Sequence, residues 1–322
     1  MHFKPTPNFW AQHRHGLRLI ILAIALIWGG VWGLQYHHNS VAKTSARLTT
    51  QPVNTARITT QQRHLRKRLQ HYLNHETADG ATSISFYNLS PKHGSPASKA
   101  SLTRRFYHQG DLATSANAHT PAVSASTYKL FMAAYVLHLH HQGNLTWTPT
   151  STNGFEEMIV HSDNTFAENI LDAYGLDGIN TFIGDQNWFA PVFVAGQASQ
   201  TTAYSLTLAL KDLALQTGPF KSAKDRQWLL HLMSQQVYRT GIPAGATTAK
   251  QGTTVADKVG WYADTNNDAG LVTLPNGQRY ILVIMTHGHM QSGFSGFPRI
   301  AKITTHIQKM VYGKSATAKL AP

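Results

Sequence analysis

The chain has 322 residues, 42% of them apolar, and 28 Lys/Arg against 15 Asp/Glu give it a formal net charge of +13. That length fits one large domain with extra segments, and the apolar share suffices for a packed core. There is no cysteine, which excludes disulfides, thiolate catalysis, Cys-ligated zinc and a lipid-modified N-terminal cysteine.

The charge is unevenly placed. Residues 1–75 hold ten Lys/Arg and no Asp or Glu, whereas the remainder holds 18 against 15. This pattern suits a membrane-proximal segment facing anionic lipid or anionic wall polymers. Nucleic acid is not the expected partner, because an apolar span interrupts the basic stretch and no recognised binding motif is present. Residues 19–34 carry no polar side chain, about 24 Å of helix against a hydrocarbon core of ~30 Å. Leu17 and Tyr36 extend the run, and Arg18 is able to snorkel. Lys4, Arg14 and Arg18 precede it, while Trp28, Trp32 and Tyr36 lie toward its far end. The reading is a cytoplasmic tail (1–16), a single-pass anchor (17–36) and an exported bulk. The alternative is a cleaved signal peptide ending near Ser40-Val41-Ala42.

Residues 37–57 are polar and read as a tether. Leu65, Leu69 and Leu73 predict a helix over 58–75. A strand follows over 81–89, with Ile84 and Phe86 alternating against serines, and residues 105–108 read as its paired second strand. Residues 91–101 read as a polar loop. Helices are expected from Ser126 to about His141, over 155–160, from Asn164 to Gly175, and over 204–216 and 225–236. The period then changes: 255–261, 269–274 and 279–287 read as strands, with Asn276-Gly277 as a hairpin turn. Ile300, Ile303, Ile307, Met310 and Val311 mark a closing helix. This order predicts an α+β fold: an antiparallel sheet flanked by the terminal helices, plus an all-helical subdomain. The domain is expected to span 58–313, followed by a tail (314–322).

Three short strings carry chemistry. Ser126 and Lys129 in Ser126-Thr127-Tyr128-Lys129 share one helix face, so the amine can sit against the hydroxyl. Burial among Leu130 and Phe131 would lower the amine's pKa toward that of a base. Alone the spacing means little, since Ser40-Val41-Ala42-Lys43 in the tether matches it too. In Ser162-Asp163-Asn164 the competing reading is a helix cap. Lys258-Val259-Gly260 sits on an expected strand, where a lone lysine is ordinary. Upstream stands Arg239-Thr240-Gly241-Ile242-Pro243-Ala244-Gly245.

In this order and with these flanks the strings resemble the S-x-x-K, S-D-N and K-T-G set of the class A β-lactamases and penicillin-binding proteins. The resemblance covers roughly residues 58–313. It implies Ser126 as nucleophile, Lys129 as base and Ser162 as a proton relay between Lys129 and the leaving nitrogen. Asn164 would hold the substrate's amide. Lys258 would attract its carboxylate and help keep Lys129 neutral. Gly260 would allow close backbone approach, and the N–H groups of Ser126 and Trp261 would form the oxyanion hole.

Three departures stand out. Val259 replaces the usual Thr or Ser, which removes a hydroxyl. The interval from Ser126 to Ser162 is short, so part of the helical subdomain is trimmed. Residues 186–200, where the family's omega loop carries the acid that activates the deacylating water, hold no carboxylate. Glu168, four residues after Asn164, is a substitute, with a solvated helix glutamate as the competing reading. The 19 histidines show no zinc-site spacing with an acidic partner, so no metal and no cofactor is expected.

The apolar span implies a membrane-tethered, extracytoplasmic protein, the resemblance implies a serine hydrolase, and a monomer is expected. It would form an acyl-enzyme with β-lactams or with the D-Ala-D-Ala ends of wall peptides, and deacylate slowly. The alternative is a non-hydrolytic penicillin- or peptidoglycan-binding module, a sensor or scaffold.

Overall fold

The computed structural model describes residues 55–320, so the expected cytoplasmic tail and anchor, and nearly all of the tether, lie outside the described residues. Among the described residues no helix is long and apolar enough to cross a membrane.

Helix α1 (Thr55–Glu76) buries Ile58, Leu65, Leu69 and Leu73 along one stripe, the spacing that its sequence shows. It lies against α11 (Phe297–Tyr312), which buries Ile300, Ile303, Ile307 and Val311. Both cover one face of a five-stranded antiparallel sheet in the order β2-β1-β7-β6-β5. Its strands are β1 (Thr82–Leu89), β2 (Thr114–Ala116), β5 (Thr254–Tyr262), β6 (Thr265–Thr273) and β7 (Arg279–Thr286).

β7 reads as an unbroken apolar run because both its faces are covered. Ile281, Val283 and Met285 join the core shared with the helical subdomain. Tyr280 points the other way, packs against Phe86 with tilted rings 5.6 Å apart and donates its hydroxyl to Gln308 of α11 at 2.7 Å. The β6–β7 turn closes where Asn276-Gly277 predicts it. Gly277 has φ +88°, and a Cβ there would meet Ser95 at 2.2 Å.

On the opposite face lie α4 (Lys129–His141), α5 (Pro149–Val160), α6 (Thr165–Tyr174), α7 (Leu176–Asp185), α8 (Ala203–Leu215) and α9 (Ala223–Ser234). α4 is buried on nearly every side, from Lys129 to Leu137 and at Leu139, as a central helix must be. A short ribbon, β3 (Ala122–Val123) with β4 (Gln200–Thr201), ties the approach to α4 to the end of the segment after α7.

Several elements differ from the sequence reading. The second strand is not at 105–108. Residues Ser101–Phe106 form a helical turn that buries Phe106, and β1 pairs instead with Thr114–Ala116. Three residues of strand are too few to show a period. A further turn, Pro96–Lys99, interrupts the expected polar loop. Two helices were not anticipated: α7, and α10 (Ile242–Ala249). The described unit also runs past 58–313 at both ends. α1 begins at Thr55, and Gln61 donates to the carbonyl of Ala316 at 3.0 Å, in a helical turn at Lys314–Ala316.

Candidate active site

Ser126 sits in a 3-10 turn, Ala125–Tyr128, at the N-terminus of α4. Preceding it, Ala125 holds a left-handed φ of +44°, a conformation costing a non-glycine residue about 1–3 kcal/mol. Neighbours over-determine this turn. Asn267 of β6 donates to the carbonyls of Val123 at 2.8 Å and Ser124 at 3.0 Å. The Ser124 and Ser199 hydroxyls meet at 2.6 Å, and Thr127 donates to the Ser124 carbonyl at 2.6 Å.

One turn further on, Lys129 is fully buried. Its Nζ lies 3.2 Å from Ser126 Oγ, 2.5 Å from the Ser162 carbonyl and 2.6 Å from Asn164 Oδ1. Burial lowers the Lys129 ammonium to about 8, opposed by the charges of Asp163 and Glu168.

Ser162 lies between α5 and α6 with a left-handed φ of +63°. That conformation lets one residue serve two amines. Its carbonyl accepts from Lys129, and its Oγ accepts from Lys258 at 2.8 Å. The hydroxyl is therefore bonded to Lys258, rather than to Lys129 as a direct relay would need. Asp163 takes the capping role, accepting from Thr165 N–H at 2.8 Å.

Lys258 of β5 is fully buried and also donates to the Val259 carbonyl at 3.0 Å and Gln236 Oε1 at 3.4 Å. Burial pushes its ammonium well below the usual lysine range, helped by the charge of Lys129 and opposed by Asp257 and Asp268. Gly260, two residues on, packs directly on the nucleophile's backbone. A Cβ there would stand 2.6 Å from Ser126 N and 2.8 Å from Thr127 N. The Val259 side chain is buried and offers no surface to a ligand.

These groups lie under a cleft of about 430 Å³, lined by Ser126, Tyr128, Asn164, Trp261, Tyr262 and residues 196–199, among others. None of the cleft-lining residues is acidic. Larger depressions lie elsewhere and contain none of the sequence-predicted site residues. Asn180 of α7 fixes the segment after that helix, accepting from Val192 and Phe193 N–H at 2.9 and 3.1 Å and donating to the Phe193 carbonyl at 2.7 Å. Glu168 stands in the first turn of α6 with its side chain exposed. It reaches the site through its charge, which raises the pKa of Lys129 and, after burial, that of Tyr128.

The structure thus brings together Ser126, Lys129, Ser162, Asn164, Lys258, Gly260 and Trp261, and leaves Glu168 outside the cleft lining. Sequence reasoning missed the second layer. Arg239 pairs with Asp257 at 3.0 Å, and Asp268 accepts from Ile242 N–H at 2.7 Å. Burial raises both carboxyls, and for Asp257 the charge of Asp268 adds to it. Asp257 Oδ2 and Asp268 Oδ1 are buried without a hydrogen-bond partner, an environment that disfavours charge on both carboxyls. The available signal was Asp257, a carboxylate inside the strand expected at 255–261; Asn267 and Asp268 precede the strand expected at 269–274 and join it only because β6 begins at Thr265.

The family model described as "Beta-lactamase enzyme family" matches residues 150–313. The chain belongs to the beta-lactamase enzyme family. The match begins after Ser126, so the nucleophile's place rests on the geometry above. Among solved structures, PBP-A is similar over 80% of this chain and 96% of its own, at 21% identity and a TM-score of 0.59. A variant of PBP-A in an acyl-enzyme complex with penicillin G matches at 0.58. A β-lactamase from Sphaerobacter thermophilus is 16% identical, covering 74% of this chain and 94% of its own, with a TM-score of 0.58. One from Burkholderia phymatum is 18% identical over 79% and 99%, at 0.57. At these identities the likeness is one of fold. No curated protein sequence matches the chain.

Proposed function

We propose that this beta-lactamase family member is a membrane-tethered, extracytoplasmic serine hydrolase. It acylates on Ser126 with β-lactams or D-Ala-D-Ala wall peptides and deacylates slowly. The observation that carries this reading is the surroundings of Lys129 Nζ. A neutral amine has two N–H donors and one lone pair. The Ser162 carbonyl and Asn164 Oδ1, at 2.5 and 2.6 Å, take the two donors. The lone pair is left for the Ser126 hydroxyl at 3.2 Å. With the ammonium at about 8, roughly one tenth of the amine is neutral at pH 7, against about one in three thousand for an ordinary lysine. General-base assistance of this kind is worth about 10²–10⁴ in rate.

The steps follow from the positions. Lys129 takes the Ser126 proton as Oγ attacks the carbonyl. The N–H groups of Ser126 and Trp261, brought close by the bare Gly260, hold the oxyanion. Asn164 is committed to Lys129 through Oδ1, which leaves its Nδ2 for a substrate carbonyl. Ser162 gives its hydroxyl proton to the leaving nitrogen as the C–N bond breaks and takes one in turn from the Lys258 ammonium, which donates to its Oγ at 2.8 Å, while Lys129 keeps the proton of Ser126. Lys258 attracts the substrate carboxylate and opposes protonation of Lys129. Deacylation then needs a base near the ester, and none of the cleft-lining residues is a carboxylate. Glu168 acts through its charge on Lys129 rather than on water.

Labelling with a fluorescent penicillin tests acylation: the signal should vanish in Ser126→Ala, and unchanged labelling would refute the assignment. The bare cleft also favours a second reading, a penicillin- or wall-binding sensor or scaffold that does not turn over. Nitrocefin kinetics separate the two. Steady hydrolysis supports the enzyme, a stoichiometric burst without turnover supports a trap, and neither, with wall binding intact, supports a recognition module. The apolar residues 19–34 support the tether. Protease digestion of intact cells should remove the domain while leaving the anchor, and full protection would place it inside.

A further inference from the structure

The described residues carry their excess charge in one place. α1 and α11 together hold eight Lys/Arg and one carboxylate, Glu76, whereas the other described residues hold 15 Lys/Arg and 14 Asp/Glu. The two helices lie side by side. Between them run two adjoining depressions of about 600 and 790 Å³ that share Arg68, Tyr72, Glu76, His306 and Met310. Lys67, Arg68, His71 and His75 form one wall, and Lys302, His306 and Lys309 the other. The floor is fixed by Tyr72 stacked on His306, with ring centroids 4.0 Å apart. The lone acid is engaged: the Glu76 carboxylate lies 3.7 Å from His75 Nδ1 and acts on the Tyr72 hydroxyl.

The groove is part of neither the fold's core nor the cleft. The apolar stripe of α1 is used up against the interior, and the groove shares no residue with the lining of the catalytic cleft. Such a concentration of one sign of charge on an otherwise balanced surface is the footprint of an anionic partner.

From these facts we infer that the α1–α11 groove binds an extended, phosphate-bearing linear polymer. Four features select that occupant. The depressions are shallow and open, with Lys67 and Arg68 along one side and Lys302 and Lys309 along the other, so a strand can lie between cations. Lys67, His71 and His75 succeed each other by one helical turn, about 6 Å apart along the axis, so a flexible polyanion can follow one ammonium and two imidazole N–H donors. An interfacial helix inserts apolar side chains, yet the large exposed hydrophobics among the described residues (Val194, Tyr204, Val237, Tyr262, Met290 and Phe294) all lie off this face. Base stacking, which nucleic-acid binders add to charge, finds the Tyr72 ring already occupied. Such a site would hold the domain on a phosphate-rich polymer while the cleft stays open.

The test uses the full chain in neutral detergent at roughly 0.1 M salt, with long-chain inorganic polyphosphate as the probe. Binding is compared in the wild type, in a groove variant (Lys67→Gln, Arg68→Gln, Lys302→Gln and Lys309→Gln) and in a control variant that loses the same charge elsewhere (Lys92→Gln, Lys99→Gln, Lys221→Gln and Lys224→Gln). Thermal midpoints report folding. Removing four contacts should weaken binding about a hundredfold or more in the groove variant and by less than about threefold in the control. No binding by the wild type, or equal loss in both variants, would overturn the inference. So would single-stranded DNA or phosphatidylglycerol nanodiscs binding more tightly than polyphosphate through the same four residues. A groove variant that unfolds is replaced by single substitutions, which should each weaken binding while the control singles do not.

Discussion

Replacing Gly260 with alanine puts one methyl group where the structure has no room. The new Cβ would stand 2.6 Å from Ser126 N, 2.8 Å from Thr127 N and 3.1 Å from Ala125 Cβ. Ordinary contact begins near 3.4 Å, so β5 and the nucleophile turn must part by close to an ångström. Both are backbone, and the turn is pinned by Asn267 and Ser199, so the strain is not relieved by a side-chain rotation. Overpacking of this kind costs about 1–3 kcal/mol. The larger effect falls on chemistry, because the displaced groups are the oxyanion donors. A misplacement of this size lowers rate about a hundredfold. The assay is the second-order rate of penicillin acylation, followed by stopped-flow or gel labelling, with thermal midpoints alongside. Gly270→Ala serves as the reference: its nearest new contacts are 3.2–3.4 Å and none belongs to the nucleophile turn. It should acylate within about threefold of the wild type. A Gly260→Ala protein that acylates as fast as Gly270→Ala would show that this close approach does not matter, and the oxyanion-hole argument would fall with it.

Acylation should follow the neutral fraction of Lys129. Its ammonium titrates near 8, so the rate should climb with pH from 6 and level off above about 8; a flat profile from 6 to 9 would contradict Lys129 as base. Glu168→Gln removes a charge that raises the Lys129 pKa, so the midpoint should move to lower pH while deacylation stays the same. A change in deacylation alone would instead make Glu168 the base. Gln197→Glu adds a carboxylate to the cleft lining with almost no change in volume, and release of bound penicillin should accelerate at least about tenfold. Asn267→Ala removes two hydrogen bonds to the nucleophile turn. It should cost about 1–3 kcal/mol, read from chemical denaturation, and slow acylation as well.

The groups that meet in the site were legible because each is a short local pattern with a fixed chemical need. Ser126 and Lys129 share a helix face, Ser162 precedes a helix, and Lys258 and Gly260 alternate on a strand. The closing sheet was legible too, since β7 is a long apolar strand and Asn276-Gly277 has one structural meaning.

The misses have separate causes. α7 carries Gly178, Asn180 and Gly184, poor helix formers that are held helical because Ile179, Phe182 and Ile183 are buried. α10 carries Pro243 and Gly245, which read as breakers. Pro243 stands in the first turn, where its missing N–H costs nothing. Gly245 is there because a Cβ would strike the Ala301 carbonyl of α11 at 2.2 Å. The helical turn Ser101–Phe106 forms to bury Phe106 and to let Tyr107 donate to the Val311 carbonyl at 2.7 Å, a contact across 204 residues that no local window reveals. The acid pair under Lys258 was invisible for the same reason, since Asp257 and Asp268 become neighbours only when β5 and β6 pair.

Ser126 is proposed to be an activated nucleophile whose ester is slow to break. Intact-protein mass spectrometry after mixing with penicillin G, sampled from seconds to hours, reads both halves at once. One added penicillin mass per chain is expected, absent in Ser126→Ala and persisting long after free drug is removed. No adduct on the wild type at any time with the drug left intact, or an adduct that survives Ser126→Ala, would contradict it.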